Sequence, residues 1–295
     1  MANIAEYLAD YGSSITYGNL PPEVVHKAKG LLIDTLACGM GGYDSEPGEI
    51  ARRMAERIYP GDTFATVLGS GLKTSPELAA FANGTMIRYL DLNDGFITIG
   101  GGGHPSDNFA PVLACGEAVH ASGKELITAS ILAYEVFCRV QDQLDLAPRG
   151  FDQAVIGVIS CAVGAAKILG LSPGQMVQAI NLAVTPNISL YQTRRGEITM
   201  WKACAAANAA RNAVFAAQLA KEGMTGPGPI FEGRGGFMKA VSGPFQLEQF
   251  GGHGRQFRIM DVTIKRYPCG KHARIHNSTR FGIDAPMSIA RVRVS

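Results

Sequence analysis

The sequence predicts a mainly α fold, with a large all-helical domain over residues 1–250 and the start of a small α+β domain over residues 251–295. Three observations carry this. Of 295 residues, 46% are hydrophobic but only 8% aromatic, so a sizeable core has to be built from small and aliphatic side chains. Glycine numbers 36 and alanine is abundant, and small residues let helices approach closely. Apolar residues recur at helical spacing along most of the chain, and strand-like alternation appears only near residue 250 and beyond.

The elements follow in order. In "LPPEVVHKAKGLLIDTLACGMGG", Pro22 suits a first helical turn, Val24, Ala28, Leu31, Leu32 and Leu36 share a face, and Gly41 and Gly42 stop the helix. "EPGEIARRMAERIYPG" reads as a second, amphipathic helix, and "TFATVLGSGLK" as a short strand or loop. Ser75 and Pro76 supply an N-cap and first helical position for a helix that ends near Asp91 and Asp94. "HPSDN" offers caps to the helix after the Gly100–Gly103 run. "GKELITASILAYEVFCRVQDQL" is a long apolar helix, and the stretch from Phe151 gives two helices split by Gly170 and Pro173. "MWKACAAANAARNAVFAAQLAK" is an alanine-rich helix that needs close neighbours on most sides. "RQFRIMDVTIKRYP" and the final "SIARVRVS" alternate like strands, but about 40 residues are too few for a second core, so this second domain is expected to be truncated.

Composition narrows the function classes. A formal charge of +2 gives no strong field for nucleic acid or an anionic membrane, and no apolar run is long enough to span a bilayer. The N-terminus lacks the basic and apolar regions of a secretory signal, so a cytoplasmic protein is expected. The six cysteines are scattered, which fits buried thiols in a reducing compartment. Phosphate-loop, dinucleotide and nucleophile-elbow motifs are missing.

Chemistry gathers in three places. Asp91 and Asp94 flank the glycine run on one side and His104 on the other, an arrangement by which carboxylate and imidazole can converge on a ligand as acid and base. The same residues also suit a capped turn and a mobile connector, and the pattern alone leaves both open. Lys202 stands alone among small apolar residues, where its charge needs a partner or snorkels to the rim. Asn208, farther along that helix, reads as a packing residue. Lys265, Arg266, Lys271, His272, Arg274 and His276 form a basic cluster suited to a di- or tricarboxylate. Cys269, His272 and His276 have a zinc-like spacing but no fourth ligand, so no metal site is assigned.

In order along the chain, "RYLDLNDGF…GGHPSDN", "GFDQAVIGVISCAVGAAKILGLSP", "MWKACAAANAARNAVFAAQLAKEGMTGP", "FEGRGGFMKAV" and "KRYPCGKHARIH" resemble the MmgE/PrpD family. The resemblance implies a large helical domain with a smaller α+β lid, an active site between them, a homodimer, and lyase chemistry without a metal or organic cofactor. It implies Asp91 and His104 as the acid/base pair, Lys202 as a carboxylate anchor, and Lys265 and His272 contributed from the lid side. Asn93, Asp94, Asp152, Arg266 and Lys271 are the substrate-binding positions it implies, and some members carry histidine where Asp152 stands. Gly95 departs from the hydroxyl residue common after "ND" in close relatives. The expected reaction is loss of water from a citrate-type tricarboxylate, as in 2-methylcitrate dehydratases. Decarboxylation of cis-aconitate, epimerisation, or a non-catalytic helical dimerisation domain are the alternatives.

Overall fold

A computed structural model describes residues 3–59, 61–98, 101–247, 249–252 and 254–265. Nine α-helices occupy the described residues, with two short hairpins as the named sheets. Helix α1 (Ile4–Ser14) opens on an Asn3–Glu6 capping box. Helices α2 (Pro22–Gly41), α3 (Glu46–Glu56) and α4 (Pro76–Tyr89) follow, each with proline in its first turn. Then come α5 (Phe109–Ala118), α6 (Gly123–Gln143), α7 (Ala154–Ile168), α8 (Pro173–Val184) and α9 (Trp201–Lys221). Ser122 and Ser172 close capping boxes at the starts of α6 and α8. Ser75 takes the N-cap position of α4 as expected, but its hydroxyl donates to Glu77 and caps no backbone amide.

Small residues set the spacing at the centre. Every residue of α7 except Lys167 is buried. A Cβ on Gly164 would come within 2.9 Å of both Ala133 on α6 and Val112 on α5, so only glycine permits that approach. Gly84 of α4 faces Ala207 of α9 in the same way, where a Cβ would lie 3.0 Å from the alanine Cβ. The alanine-rich α9 is therefore walled in by its neighbours, as its composition requires. Cys38, Cys115, Cys138, Cys161 and Cys204 are buried thiols, and Cys269 lies outside the described residues.

Two sequence expectations are corrected. Residues 101–103 of the glycine run form a strand: β4 (Gly101–Gly103) pairs antiparallel with β3 (Phe96–Thr98), while β1 (Ala65–Thr66) pairs with β2 (Lys73–Thr74). Residues 255–265 are not a long strand. They make a 3-10 turn over Arg258–Asp261 and a single bridge from Thr263 to Gly95. The cause is tertiary: the Arg258 guanidinium pairs with Asp142 of α6 and Asp261, and its backbone N–H donates to Glu135. Gly251 N–H also donates to Glu135, and Phe250 stacks on Tyr11, so this segment lies along the helical body. No helix among the described residues is long and apolar enough to cross a membrane.

Candidate active site

The end of α4, the β3–β4 hairpin, the loop before α7, the segment before α9 and the segment ending at Lys265 surround one cavity of about 460 Å³. Asp91 forms its focal point. It follows α4 directly and takes a left-handed backbone (φ +53), a conformation aspartate tolerates better than most side chains. This turn swings the carboxylate among three cations. Lys265 Nζ donates to Asp91 Oδ1 at 2.9 Å and to its carbonyl at 2.7 Å. Arg88 Nη1 donates to Oδ1 at 3.2 Å, and Lys202 Nζ lies 3.5 Å from Oδ2. Burial pushes the Asp91 carboxyl upward, but the Arg88 charge and the Lys265 hydrogen bond and charge outweigh it. The group is held well below the usual carboxylate range.

His104 lines the same cavity. Its Nδ1 is 2.6 Å from the carbonyl oxygen of Asp94, and a carbonyl only accepts, so Nδ1 carries the proton. Nε2 is therefore the basic nitrogen, 3.9 Å from Asp91 Oδ1. Burial, then Arg88 and Lys265, keep the imidazole neutral by lowering its pKa well below the ordinary value, against the opposing pull of the Asp94 carbonyl and Asp91.

Behind this wall lies a buried polar layer. Arg88 Nη1 donates to Asn93 Oδ1 at 2.6 Å, and Asn93 Nδ2 donates to Ser106 Oγ at 2.9 Å. Ser106 donates to Asp94 Oδ1 through its hydroxyl at 2.6 Å and its backbone N–H at 3.1 Å. Burial raises the Asp94 carboxyl to about 6 despite those two bonds. Burial raises Asp107 to about 7, with Arg88 Nε 3.5 Å away pulling it back. The "PSDN" residues thus form a 3-10 turn over Pro105–Asn108 whose Ser106 and Asp107 serve this layer; Asn108 bonds to Pro105 O and caps no helix.

The structure brings Asp91, His104, Lys202 and Lys265 together. Asp152 is in the cavity wall, 1% exposed, and its carboxylate is taken up by Arg194. Asn93 and Asp94 are fully buried behind the wall, so they hold the site and do not face a ligand. Gly95 lines the cavity and exchanges backbone hydrogen bonds with Thr263, bringing no hydroxyl of its own. Asn208 lines a separate surface cleft near Trp201. Arg266, Lys271 and His272, and the Cys269–His276 spacing, lie outside the described residues. Among the described residues, no group of three or more His, Cys, Asp or Glu is placed to hold a metal.

Sequence reasoning gave no role to Arg88, Asp107 or Arg194. Arg88 carried one signal: two aspartates just after a helix need a counter-cation, and an arginine one turn earlier supplies it. Arg194 sits in an aperiodic loop, "YQTRRG", which offers no such signal.

Comparison with known proteins places the chain in a family. The family model for the MmgE/PrpD N-terminal domain matches residues 6–249. The human cis-aconitate decarboxylase is 29% identical over 303 residues, covering 99% of this chain and 60% of that protein. The 2-methylcitrate dehydratase of Escherichia coli K12 is 29% identical over 242 residues, 77% of this chain and 48% of that protein. A probable 2-methylcitrate dehydratase of Saccharomyces cerevisiae is 30% identical over 214 residues, 67% of this chain and 41% of that protein. The chain thus spans 41% to 60% of the length of these three relatives.

Proposed function

The chain belongs to the MmgE/PrpD family, whose similar members are lyases, and from that premise we propose that it removes water from a citrate-type tricarboxylate by acid/base catalysis. One observation carries the reading. A neutral His104 presents Nε2 beside an ionised Asp91, inside a cavity lined by Arg88, Arg194, Lys202 and Lys265.

Dehydration of such an acid begins by removing a proton from the carbon next to a carboxylate. His104 Nε2 takes that proton. Burial and the cations oppose charging of the imidazole. A bound polyanion offsets the cations, so the imidazole becomes a competent base when substrate is in place. The Asp91 carboxylate and the Asp94 carbonyl then stabilise the imidazolium from its two sides. The enediolate charge that builds on the substrate falls among the ammonium and guanidinium groups. The hydroxyl leaves with a proton from the Lys265 ammonium on the cavity wall, and Lys202 serves as a carboxylate anchor. Asp91 is a poor acid because its cations hold it ionised.

Decarboxylation of cis-aconitate is the second reading, favoured by the longer match to the human enzyme. It starts by protonating a carbon, which suits a site poised with a base less well. Epimerisation shares the base-initiated first step. The proposal takes the protein as a cofactor-free homodimer of the cytoplasm.

The test is turnover by the purified chain. We expect ultraviolet absorbance from a new C=C bond on 2-methylcitrate or citrate, abolished in His104→Ala. Carbon dioxide release from cis-aconitate without dehydration replaces the first reading by the second. Inversion at carbon without a new double bond indicates an epimerase. No turnover of any of these acids defeats the lyase reading for this chain.

A further inference from the structure

We infer that Arg194 is the anchor for a substrate carboxylate remote from the reacting carbon, and that Asp152 is its positioning residue and not a substrate ligand. The inference deepens the lyase reading, and it rests on that reading for the identity of the acid.

Asp152 cannot meet a ligand. Its residue is 1% exposed, and both oxygens are engaged. Arg194 Nε donates to Oδ2 at 2.6 Å, Arg194 Nη2 to Oδ1 at 3.3 Å, and the backbone N–H of Ala154 to Oδ1 at 2.9 Å. A guanidinium has five N–H donors, and the side-on pairing leaves the two on Nη1 without a partner among the described residues. Arg194 lines the cavity and its side chain is 16% exposed. The free edge of the fork is the part left to face a bound anion.

The backbone makes this placement rigid. Arg194 ends a 3-10 turn over Tyr191–Arg194. That turn is laced to the loop before α7: Asp152 N–H donates to Ser189 O, Tyr191 N–H donates to Gly150 O, and Phe151 bridges Leu190. The arginine is therefore pinned by backbone as well as by Asp152. Preorganising a long, flexible side chain removes the entropy otherwise lost on binding.

Charge supports the same role. Arg88, Lys202 and Lys265 crowd Asp91, whereas Arg194 pairs with Asp152 and with none of the Asp91 cluster. Four cations and two carboxylates on the cavity wall, Asp91 and Asp152, leave an excess of two positive charges. That excess suits an acid whose carboxylates are spread out, one near Asp91 and another at Arg194. A monocarboxylate could engage only one of these two places.

Calorimetric binding of the unreactive propane-1,2,3-tricarboxylate, compared with its 1-amide and 2-amide, tests this without turnover. Removing the guanidinium alone orphans the buried Asp152, so the principal variant is Arg194→Ala with Asp152→Asn, and Arg194→Lys is the second. We expect the double variant to bind the triacid roughly 10- to 100-fold more weakly. We also expect it to bind one of the two amides with little change, because that amide already lacks the anchored charge. Arg194→Lys, which keeps charge but loses the fork, falls between. Triacid affinity within twofold of wild type in the double variant overturns the inference. So does equal weakening for the triacid and both amides, which marks a structural effect, and so does failure of the wild type to bind the triacid. If the acids bind with this selectivity yet none turns over, the lyase reading fails and the anchor stands.

Discussion

Asp91 and Asp94 lie three residues apart in one motif, yet they face opposite environments. Asp91 looks into the cavity, where Arg88, Lys265 and Lys202 hold it ionised. Asp94 looks into the protein, where Ser106 and Tyr134 face it and burial raises its carboxyl to about 6. The front of this segment is built for charge and the back for protonation. The left-handed turn at Asp91 divides them, because it sends consecutive carboxylates to different sides. Composition and spacing treat the two aspartates as equivalent; their surroundings keep one ionised in the cavity and set the other behind it, where its carbonyl accepts from His104 and its carboxylate from Ser106.

The largest expected effect breaks the front. His104→Ala removes the base, and Asp91→Asn removes both the partner of the imidazolium and the focus of three cations. Each should lower kcat by about 10²- to 10⁴-fold, measured by product absorbance, with thermal unfolding showing whether the fold persists. A variant of either that keeps more than a tenth of the wild-type rate contradicts the role given to the front.

The next effect isolates the back. A carboxyl whose folded pKa is raised binds its proton more tightly in the native state than in the unfolded chain. Its stabilising contribution is present below about pH 4 and is lost as pH rises through the folded value of about 6. Asp107 acts in the same sense up to about 7, whereas Asp91, held low, adds stability that is lost as pH falls. Asp94→Asn mimics the protonated form and keeps an oxygen for Ser106. Relative to wild type it should therefore gain on the order of 2–3 kcal/mol between pH 4 and pH 8, read from denaturant unfolding across that range. A stability difference that does not change with pH would mean that Asp94 is ionised in the folded protein throughout.

This contrast also explains what the sequence made legible. Most helices were readable because their signals are local: prolines at the first turns of α2, α4 and α8, and small and apolar residues along α7. Asp91, His104 and Lys202 stood out because charge in glycine- or alanine-rich surroundings is conspicuous. Residues 255–265 read as a strand because Phe257 and Ile259 alternate with polar residues; together with Val262 they are buried around a 3-10 turn that Asp142 and Glu135 impose from a distant helix. Arg194 was missed because its meaning depends on Asp152, 42 residues away. The buried state of Asp94 and Asp107 is likewise a product of packing, invisible in a motif that reads as turn and cap.

A smaller effect concerns the strand that carries His104 forward. Gly103 precedes the histidine, and a Cβ there would lie 2.5 Å from Phe137 Cζ and 2.7 Å from Gln153 Oε1. The glycine is needed for close packing against α6, more than for motion. Gly103→Ala should cost about 1–3 kcal/mol in unfolding free energy and displace His104, lowering kcat alongside. An unchanged melting temperature would show that the hairpin yields freely and that its glycines serve mobility after all.

The smallest effect separates the rim from the floor within the front itself. Lys265 is buried against Asp91, whereas the Lys202 side chain is 36% exposed and 3.5 Å from the same carboxylate. A partly exposed pair contributes about 0.2–1 kcal/mol and is screened by salt. Lys202→Ala should therefore raise KM about two- to fivefold at low ionic strength with kcat nearly unchanged, and the difference should shrink when salt is added. A loss that persists undiminished in salt would mean that Lys202 is withdrawn from water when substrate binds. The rim would then close into the same dry environment that already holds Lys265, and rim and floor would act as one cationic wall.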